Sequence, residues 1–351
     1  MTDAVLERPL PATTRKPRVG FLGVGWIGRH RMEAMLATGA VEAAAIADPS
    51  DDMVADALKL APAAERVANL EALLALDLDG VVIATPSALH AEQSIRALER
   101  SVAVFCQKPL GRTEAEVGAV IDAARRADRL LAIDLSYRFT EGVQRIRDEI
   151  RSGGLGRVHA ADLVFHNAYG PDKPWFYDPA LSGGGCVMDL GVHLVDLALW
   201  LLPGAEVAQV DSVLHAAGRP LTAGGVEDYA VATLKLDTGA VVRLACSWRL
   251  PAGQDAVISA AFYGEGAGVE LRNVDGSFYD FVAGRFDGAS SWAEKSFRAL
   301  PSFLMVVAVY DETDRVSSRH VSDYLTSNME DPLGRVKGVG DVTLFGSQYA
   351  M

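Results

Sequence analysis

Between Arg18 and Leu135 short apolar runs and helical patterns alternate without a break, and no other feature of the chain restricts its fold as much. The runs are RVGFLG, VEAAAIAD, GVVIAT, VAVFCQ and LLAIDL. Between them helices are expected from about Ile27, through DDMVADALKL, from about Ala88, and around Glu114 to Ala127. A strand that is apolar along its whole length is buried on both faces, and a helix in every connection covers both faces of a parallel sheet. The first half therefore reads as doubly wound α/β.

The first strand runs into GVGWIG, where Gly23, Gly25 and Gly28 stand in G-x-G-x-x-G spacing. The first glycine permits the tight turn, the second lets backbone approach a pyrophosphate, and the third allows the helix to pack closely on the strand. Trp26 and Ile27 complete the turn and join the candidate cofactor site. Such a spacing alone is a weak signal. Here it follows a strand, opens a helix, and is answered twenty residues after Gly28 by Asp48, at the end of the second strand, where a carboxylate can bind a ribose 2′-hydroxyl. Asp48 repels a 2′-phosphate and no arginine follows it in DPSDD, so NAD is expected rather than NADP.

At 351 residues the chain has room for two domains. Its 46 acidic and 33 basic residues give a net charge of −13, which disfavours nucleic acid and anionic membrane surfaces as partners. Cys106, Cys186 and Cys246 lie far apart with no paired spacing, an argument against a zinc site or a disulfide framework and for a reducing cytoplasm. No metal is expected. No apolar run is read as long enough to span a membrane, and Met1 to Pro17 lacks the apolar core of a signal peptide, so residues 1–17 are expected to be a disordered leader.

Past the fourth strand comes ATPSALH (Ala84 to His90), and past the fifth FCQKPLGRT. With YRFTEGVQRIRDEIRSGGLGRV and WFYDPALSGGGCVMDLGVHLVDLALWLL, the chain to about residue 290 resembles the glucose-fructose oxidoreductase and inositol dehydrogenase (Gfo/Idh/MocA) family. The resemblance implies a hydride transfer between nicotinamide and a hydroxyl or carbonyl carbon of a sugar, cyclitol or related polyol. It also implies a cis Lys108–Pro109 bond, with Lys108 on the reacting oxygen, and Thr85, Pro86 and His90 on the nicotinamide side. One departure is plain: the family usually carries Glu before Lys-Pro and this chain has Gln107, which can still hydrogen-bond a ribose but removes a negative charge beside Lys108.

Asp189 and His193 fall four residues apart in a helix expected from Cys186 to Leu202, after the run Gly183 to Gly185, and so share a face. Read from the residues alone, a helix first-turn carboxylate and a satisfied buried histidine are the favoured account. The resemblance makes His193 the proton acceptor for a substrate hydroxyl and Asp189 its orienting or sugar-binding partner. Asp196, three residues further on, either contacts the histidine or supports the structure. Arg138, beside Tyr137, follows the sixth strand where the family's cleft lies, and Trp175, Tyr177, His166 and Asn167 are candidates for the substrate pocket. A non-catalytic dinucleotide-binding sensor of the same fold is the alternative function.

Beyond Leu202 the pattern changes to alternation in EVAQVDSVLHA, EDYAVATLKLD, AVVRLACSWRL, AVISAAFYGE and GVELRN. These read as strands of an α+β domain with a largely antiparallel open sheet. In the resemblance such a sheet joins copies into a homodimer or homotetramer. The expected division is a Rossmann domain over 18–138, a substrate and oligomerisation domain over 139–290, and a tail over 291–351. SFLMVV, SDYLTSNMEDPLGRV and GVGDVTLFGSQYAM in that tail resemble the porter region of resistance-nodulation-division efflux pumps. That second resemblance implies a β-α-β fragment without a membrane span in place of the family's own ending. It makes the chain an apparent chimera, and an inactive chimera is a further alternative.

Overall fold

The computed structural model describes residues 15–273, together with the backbone of 286–293 and 296–298. The expected β-α-β tail, and the leader before Arg15, lie outside the described residues. Arg15 itself pairs with Asp79 at 2.6 Å. The chain divides into two units, Met1–Ala289 and Ser290–Met351, and the strands and helices named below belong to the first.

The alternation of the first half becomes six parallel strands: β1 (Arg18–Leu22), β2 (Glu42–Ala47), β3 (Glu65–Arg66), β4 (Gly80–Ile83), β5 (Ala103–Cys106) and β6 (Leu131–Ile133). Their order is β3-β2-β1-β4-β5-β6, all pairings parallel. The order reverses between β1 and β4, and ligands of such sheets bind at the carboxyl ends beside that point. The connecting helices are α1 (Trp26–Ala37), α2 (Asp51–Leu60), α3 (Leu70–Leu74), α4 (Ser87–Glu99) and α5 (Glu114–Ala127). Ser50 caps α2 and Thr113 caps α5, each accepting from the backbone N–H three residues on. The two-residue β3 and the five-residue α3 are too short to carry a periodic signal.

The second domain begins with α6 (Glu141–Arg151) and β7 (Val158–Asn167). Next come α7 (Pro179–Ser182), a π-helical turn over Val187–Gly191 and α8 (Val192–Leu201). The strands β8 (Val207–Ala216), β9 (Arg219–Pro220), β10 (Tyr229–Leu236), β11 (Val241–Ser247), β12 (Ala256–Gly264) and β13 (Ala267–Asn273) complete it. In this unit the strand order is β13-β12-β7-β11-β10-β8-β9. The sheet is antiparallel except where β7 runs parallel to β11, Ala160 opposite Val241. β7 is central, although the sequence pattern does not single it out as a strand.

Helices α6 and α8 lie on one face, burying Val143, Ile146, Leu194, Leu197 and Leu201 in a core with Leu163, Phe165, Val242 and Leu271. Each such side chain contributes about 1.5–3 kcal/mol, which fixes α8 firmly under the residues it carries. The stretch Pro179–Leu201 is, by length and composition, apolar enough to cross a membrane, contrary to the sequence reading. It is not one continuous α-helix: Gly183 is left-handed at φ 84°, and the π turn separates α7 from α8, while half the stretch is buried in this core.

Candidate active site

The glycine turn takes the form its spacing requires. Gly23 has φ 83°, and a Cβ on Gly28 would stand 2.1 Å from the Gly23 carbonyl oxygen, so that contact admits no side chain. A Cβ on Gly25 meets nothing within 4 Å, leaving open space at the start of α1. That helix has no side-chain cap and no acidic residue in its first turn. Its first N–H groups are thus available to an anion. Asp48 accepts from the N–H of Val24 at 2.8 Å and of Ser50 at 2.9 Å, which holds its carboxylate beside the turn. An open, uncapped, glycine-lined helix start with a fixed carboxylate fits a dinucleotide.

A cleft of about 730 Å³ opens from this turn toward the second domain. Gly25, Trp26, Ile27, Thr85, Pro86 and Gln107 line one part of it, and Asn167, Trp175, Asp189, His193 and Trp248 another. Lys108 lies between them. The Lys108–Pro109 bond is cis. Lys108 Nζ donates to Asp189 Oδ1 and to the Asp189 carbonyl, both at 2.7 Å, and so joins the two domains.

Asp189 does not orient His193 as expected. Its Oδ2 accepts from Trp248 Nε1 at 2.9 Å while Oδ1 takes Lys108, so both carboxylate oxygens hold other partners. The cause is the π turn, which begins before Asp189 and ends ahead of His193 and so breaks the α-helical register of the pair. His193 lies buried against Tyr137, ring centroids 4.2 Å apart, with Phe165 beyond. Burial holds its pKa well below 6.5, and the charges of Lys108 and Arg31 push the same way. It is a neutral imidazole at physiological pH, able to accept a proton.

His90 lines the cleft but is almost wholly buried, with Nδ1 2.6 Å from the Pro109 carbonyl and Nε2 2.7 Å from the Thr85 carbonyl. Burial lowers its pKa against those two carbonyls, with the Lys108 charge lowering it further. It braces the Thr85 turn against the Lys108–Pro109 turn. Gln107 donates to the buried carboxylate of Asp134, which also pairs with Arg31. The negative charge absent at position 107 is therefore present on the neighbouring strand end, at a residue the sequence pattern does not mark.

Arg138 is not among the residues that line the cleft. Its guanidinium grips Asp196 through two hydrogen bonds and lies 5.8 Å from the Trp200 ring, so the expected substrate contact is replaced by a structural ion pair. Asp196 accordingly supports the fold. Along β7 the side chains alternate: Phe165 and Asn167 face the cleft, whereas His166 turns to Ser247, Nδ1 to Oγ 2.8 Å. The amide oxygen of Asn167 is buried with no hydrogen-bond partner. Trp175 stacks on Phe176 at 3.8 Å and lines the cleft, and Tyr177 does not line it.

Glu227 is a further residue that sequence reasoning misses. Its buried Oε1 accepts from the N–H of Gly185 and of Val187, both at 2.9 Å, at the start of the turn that carries Asp189. A Cβ on Gly185 would fall 1.9 Å from the Glu227 carbonyl oxygen, which accounts for the glycine there.

Two family models match in tandem. Residues 17–135 match an oxidoreductase family with an NAD-binding Rossmann fold, and residues 143–270 match the GFO/IDH/MocA C-terminal domain. A protein of Amycolatopsis mediterranei (strain S699), named for the oxidoreductase subunit of a UDP-kanosamine synthase, is 31% identical over 260 residues, 69% of this chain and 71% of its own. This chain belongs to the Gfo/Idh/MocA oxidoreductase family. Another relative, D-glucoside 3-dehydrogenase of Escherichia coli (strain K12), is 28% identical over 211 residues, 57% of this chain and 60% of its own. GenD2 from gentamicin A biosynthesis, solved in complex with NAD, superimposes with a TM-score of 0.69 at 25% identity, covering 83% of this chain and 80% of that one. The chain spans roughly half the length of the first curated relatives it matches, between 40% and 60%. Both family models end before the tail, and the efflux-pump resemblance of that segment gains no support from the comparisons.

Proposed function

We propose that this protein is an NAD-dependent dehydrogenase that moves a hydride between nicotinamide and a CH–OH carbon of a sugar, cyclitol or related polyol. The observation that carries this reading is the meeting in one cleft of Lys108 from the first domain with Asp189 and His193 from the second, beside an open glycine turn. NAD, when bound, supplies the hydride acceptor. Gly23, Gly25, Trp26, Ile27 and Gly28 would hold it with Asp48, and Thr85, Pro86, Gln107 and Lys108 would border its reacting end.

The chain's own part is proton handling and orientation. The Lys108 ammonium, steadied by Asp189, donates a hydrogen bond to the substrate oxygen and stabilises negative charge as it grows there. His193, neutral and sheltered from water, takes the hydroxyl proton on oxidation and returns it on reduction. Asn167 offers a buried, unpaired amide oxygen that a substrate hydroxyl satisfies, and Trp175 offers a flat face to a ring. Names of relatives that refer to a glucoside and to a UDP-sugar support a ring polyol as substrate.

The test is a panel of sugars, glycosides and inositols with NAD or NADP, followed at the nicotinamide absorbance band, beside Lys108→Ala. Turnover with NAD that Lys108→Ala lowers by about a thousand-fold is expected. Bound NAD without turnover on any member would sink the enzyme reading and favour the sensor.

Finer features belong to the same proposal. The sheet face away from α6 and α8 carries a cross-strand row of Val213, Val231, Ala245 and Val164, with Val213 and Val231 exposed. This supports a homodimer or homotetramer through that face; a monomeric mass in solution would refute it. Three buried free cysteines suit a reducing cytoplasm. Family-model spans of 17–135 and 143–270 support our domain limits of 18–138 and 139–290, and we read 291–351 as a segment foreign to the oxidoreductase fold. A version ending at Ser290 that melts well below the full chain would contradict that.

A further inference from the structure

Trp248 stands one residue beyond β11 and is 1% exposed, the largest fully buried side chain among the described residues. Packing alone does not account for its placement. Phe176 and Tyr177 meet its ring edge-on, at 6.1 and 5.4 Å, and its backbone N–H donates to the Asp228 carbonyl at 2.8 Å. With the ring fixed on both sides, the indole N–H points at one atom, Asp189 Oδ2, 2.9 Å away.

The donors around Asp189 can be counted. Lys108 has three N–H bonds. Two go to Asp189, at Oδ1 and at the carbonyl, leaving one for a substrate oxygen. That division holds only while a single carboxylate oxygen faces Lys108. A carboxylate free to turn about its last torsion presents either oxygen, or both, to the ammonium. The indole removes this freedom: it occupies Oδ2 with a neutral donor that neither takes up nor releases a proton and adds no charge to the site.

We propose that Trp248 is a positioning residue for the reaction, acting through Asp189 to hold the Lys108 ammonium with one donor directed at the substrate oxygen. This rests on the reading of Lys108 as the group that binds that oxygen. The architecture makes the arrangement an inter-domain one. Lys108 follows β5, Asp189 sits in the π turn, and Trp248 follows β11, so a second-domain strand end sets the geometry of a first-domain lysine.

The test replaces Trp248 by benzothienylalanine, which keeps the bicyclic shape and exchanges the N–H for sulfur, and alongside it by Phe. One hydrogen bond to a charged group is worth about ten- to a hundred-fold in rate, so kcat is expected to fall by about that factor with the KM for NAD unchanged. In an Asp189→Ala background the same Trp248 replacement should lower kcat no further, because the residue through which it acts is gone. A merely structural role predicts losses that multiply. A second readout needs no turnover: acylation of Lys108 by an amine-directed reagent at one fixed pH, quantified by mass spectrometry, should fall several-fold in the benzothienyl protein as both Asp189 oxygens become free to hold the ammonium. Slower labelling of a protein that turns over none of the panel would reject the enzyme reading while keeping the Trp248–Asp189–Lys108 linkage. Unchanged labelling together with kcat within two-fold of the parent overturns the proposal, as does a multiplicative loss in the Asp189→Ala background.

Discussion

Glu227→Ala removes the acceptor at the start of the turn that carries Asp189. Two backbone donors, the N–H groups of Gly185 and Val187, share one carboxylate oxygen at 2.9 Å each, in a place where Glu227 is only 6% exposed. A buried donor left without a partner costs about 1–3 kcal/mol, so losing two costs about 2–6 kcal/mol. The Cys186 N–H still holds the Glu227 carbonyl at 2.9 Å, which keeps the strand and the turn together and makes the middle of that range the best figure. About 4 kcal/mol lowers Tm by about 10 °C in a domain of this size. Glu227→Gln keeps an acceptor oxygen but gives up charge assistance, which roughly doubles such bonds, and should cost about half as much. Far-UV circular dichroism during heating, with urea titration at 25 °C, reads both values. Because Val187 lies two residues before Asp189, the alanine variant should also lose activity at temperatures where it remains folded. A Glu227→Ala protein within about 1 kcal/mol of the parent would falsify the reasoning, and a Glu227→Gln protein as stable as the parent would show that the carboxylate charge has no part in it.

Two shorter predictions bear on the cofactor turn and the base. Gly25→Ala places a Cβ where nothing lies within 4 Å, so the protein should melt as the parent does while its affinity for NAD, measured by calorimetry, falls about ten-fold or more; unchanged affinity would mean that the pyrophosphate binds elsewhere. His193, held by burial well below 6.5, is already deprotonated above that pH. The acid limb of kcat/KM for substrate oxidation should therefore lie below pH 6.5, and stability should decline as pH falls from 6.5 toward the folded-state value, since the unfolded chain takes up the proton first. A limb centred at or above 6.5 would remove His193 from the role of base.

The first domain is readable because its strands are buried on both faces and its turn residues are locally determined. VGFLG and GVVIA are apolar throughout, and α5 begins and ends where Thr113 and the left-handed Asp128 place its limits. The second domain is readable where one face is wet, as in β10, whose burial alternates. β7 also alternates in burial, but His159, Asp162 and His166 break its apolar run into Val158, Ala160–Ala161 and Leu163–Phe165, and its pairing partners lie far along the chain. The site residues are legible as types and not as partners. Nothing local to Asp189 announces Trp248, 59 residues away, or ties Glu227 to Gly185 across 42. Arg138 is misassigned for the same reason, since Asp196, which captures it, is 58 residues distant. The π turn comes from tertiary packing, with no distinct periodicity to reveal it.

The central place of β7 gives the chain an order of assembly. The first sheet has all its strands once Ile133 has been synthesised, and the glycine turn and Lys108 are present by then. β7 is made next, but its two neighbours, β11 and β12, are completed only at Ser247 and Gly264. Until the ribosome has passed that point both long edges of β7 lack their backbone partners, the period in which a nascent strand is most exposed to wrong pairing. α8 meanwhile has no finished sheet to lie on. The cofactor half of the molecule thus matures about a hundred residues of synthesis ahead of the half that carries Asp189 and His193, and a nascent chain should gain the capacity to bind dinucleotide before it gains the capacity to turn over substrate.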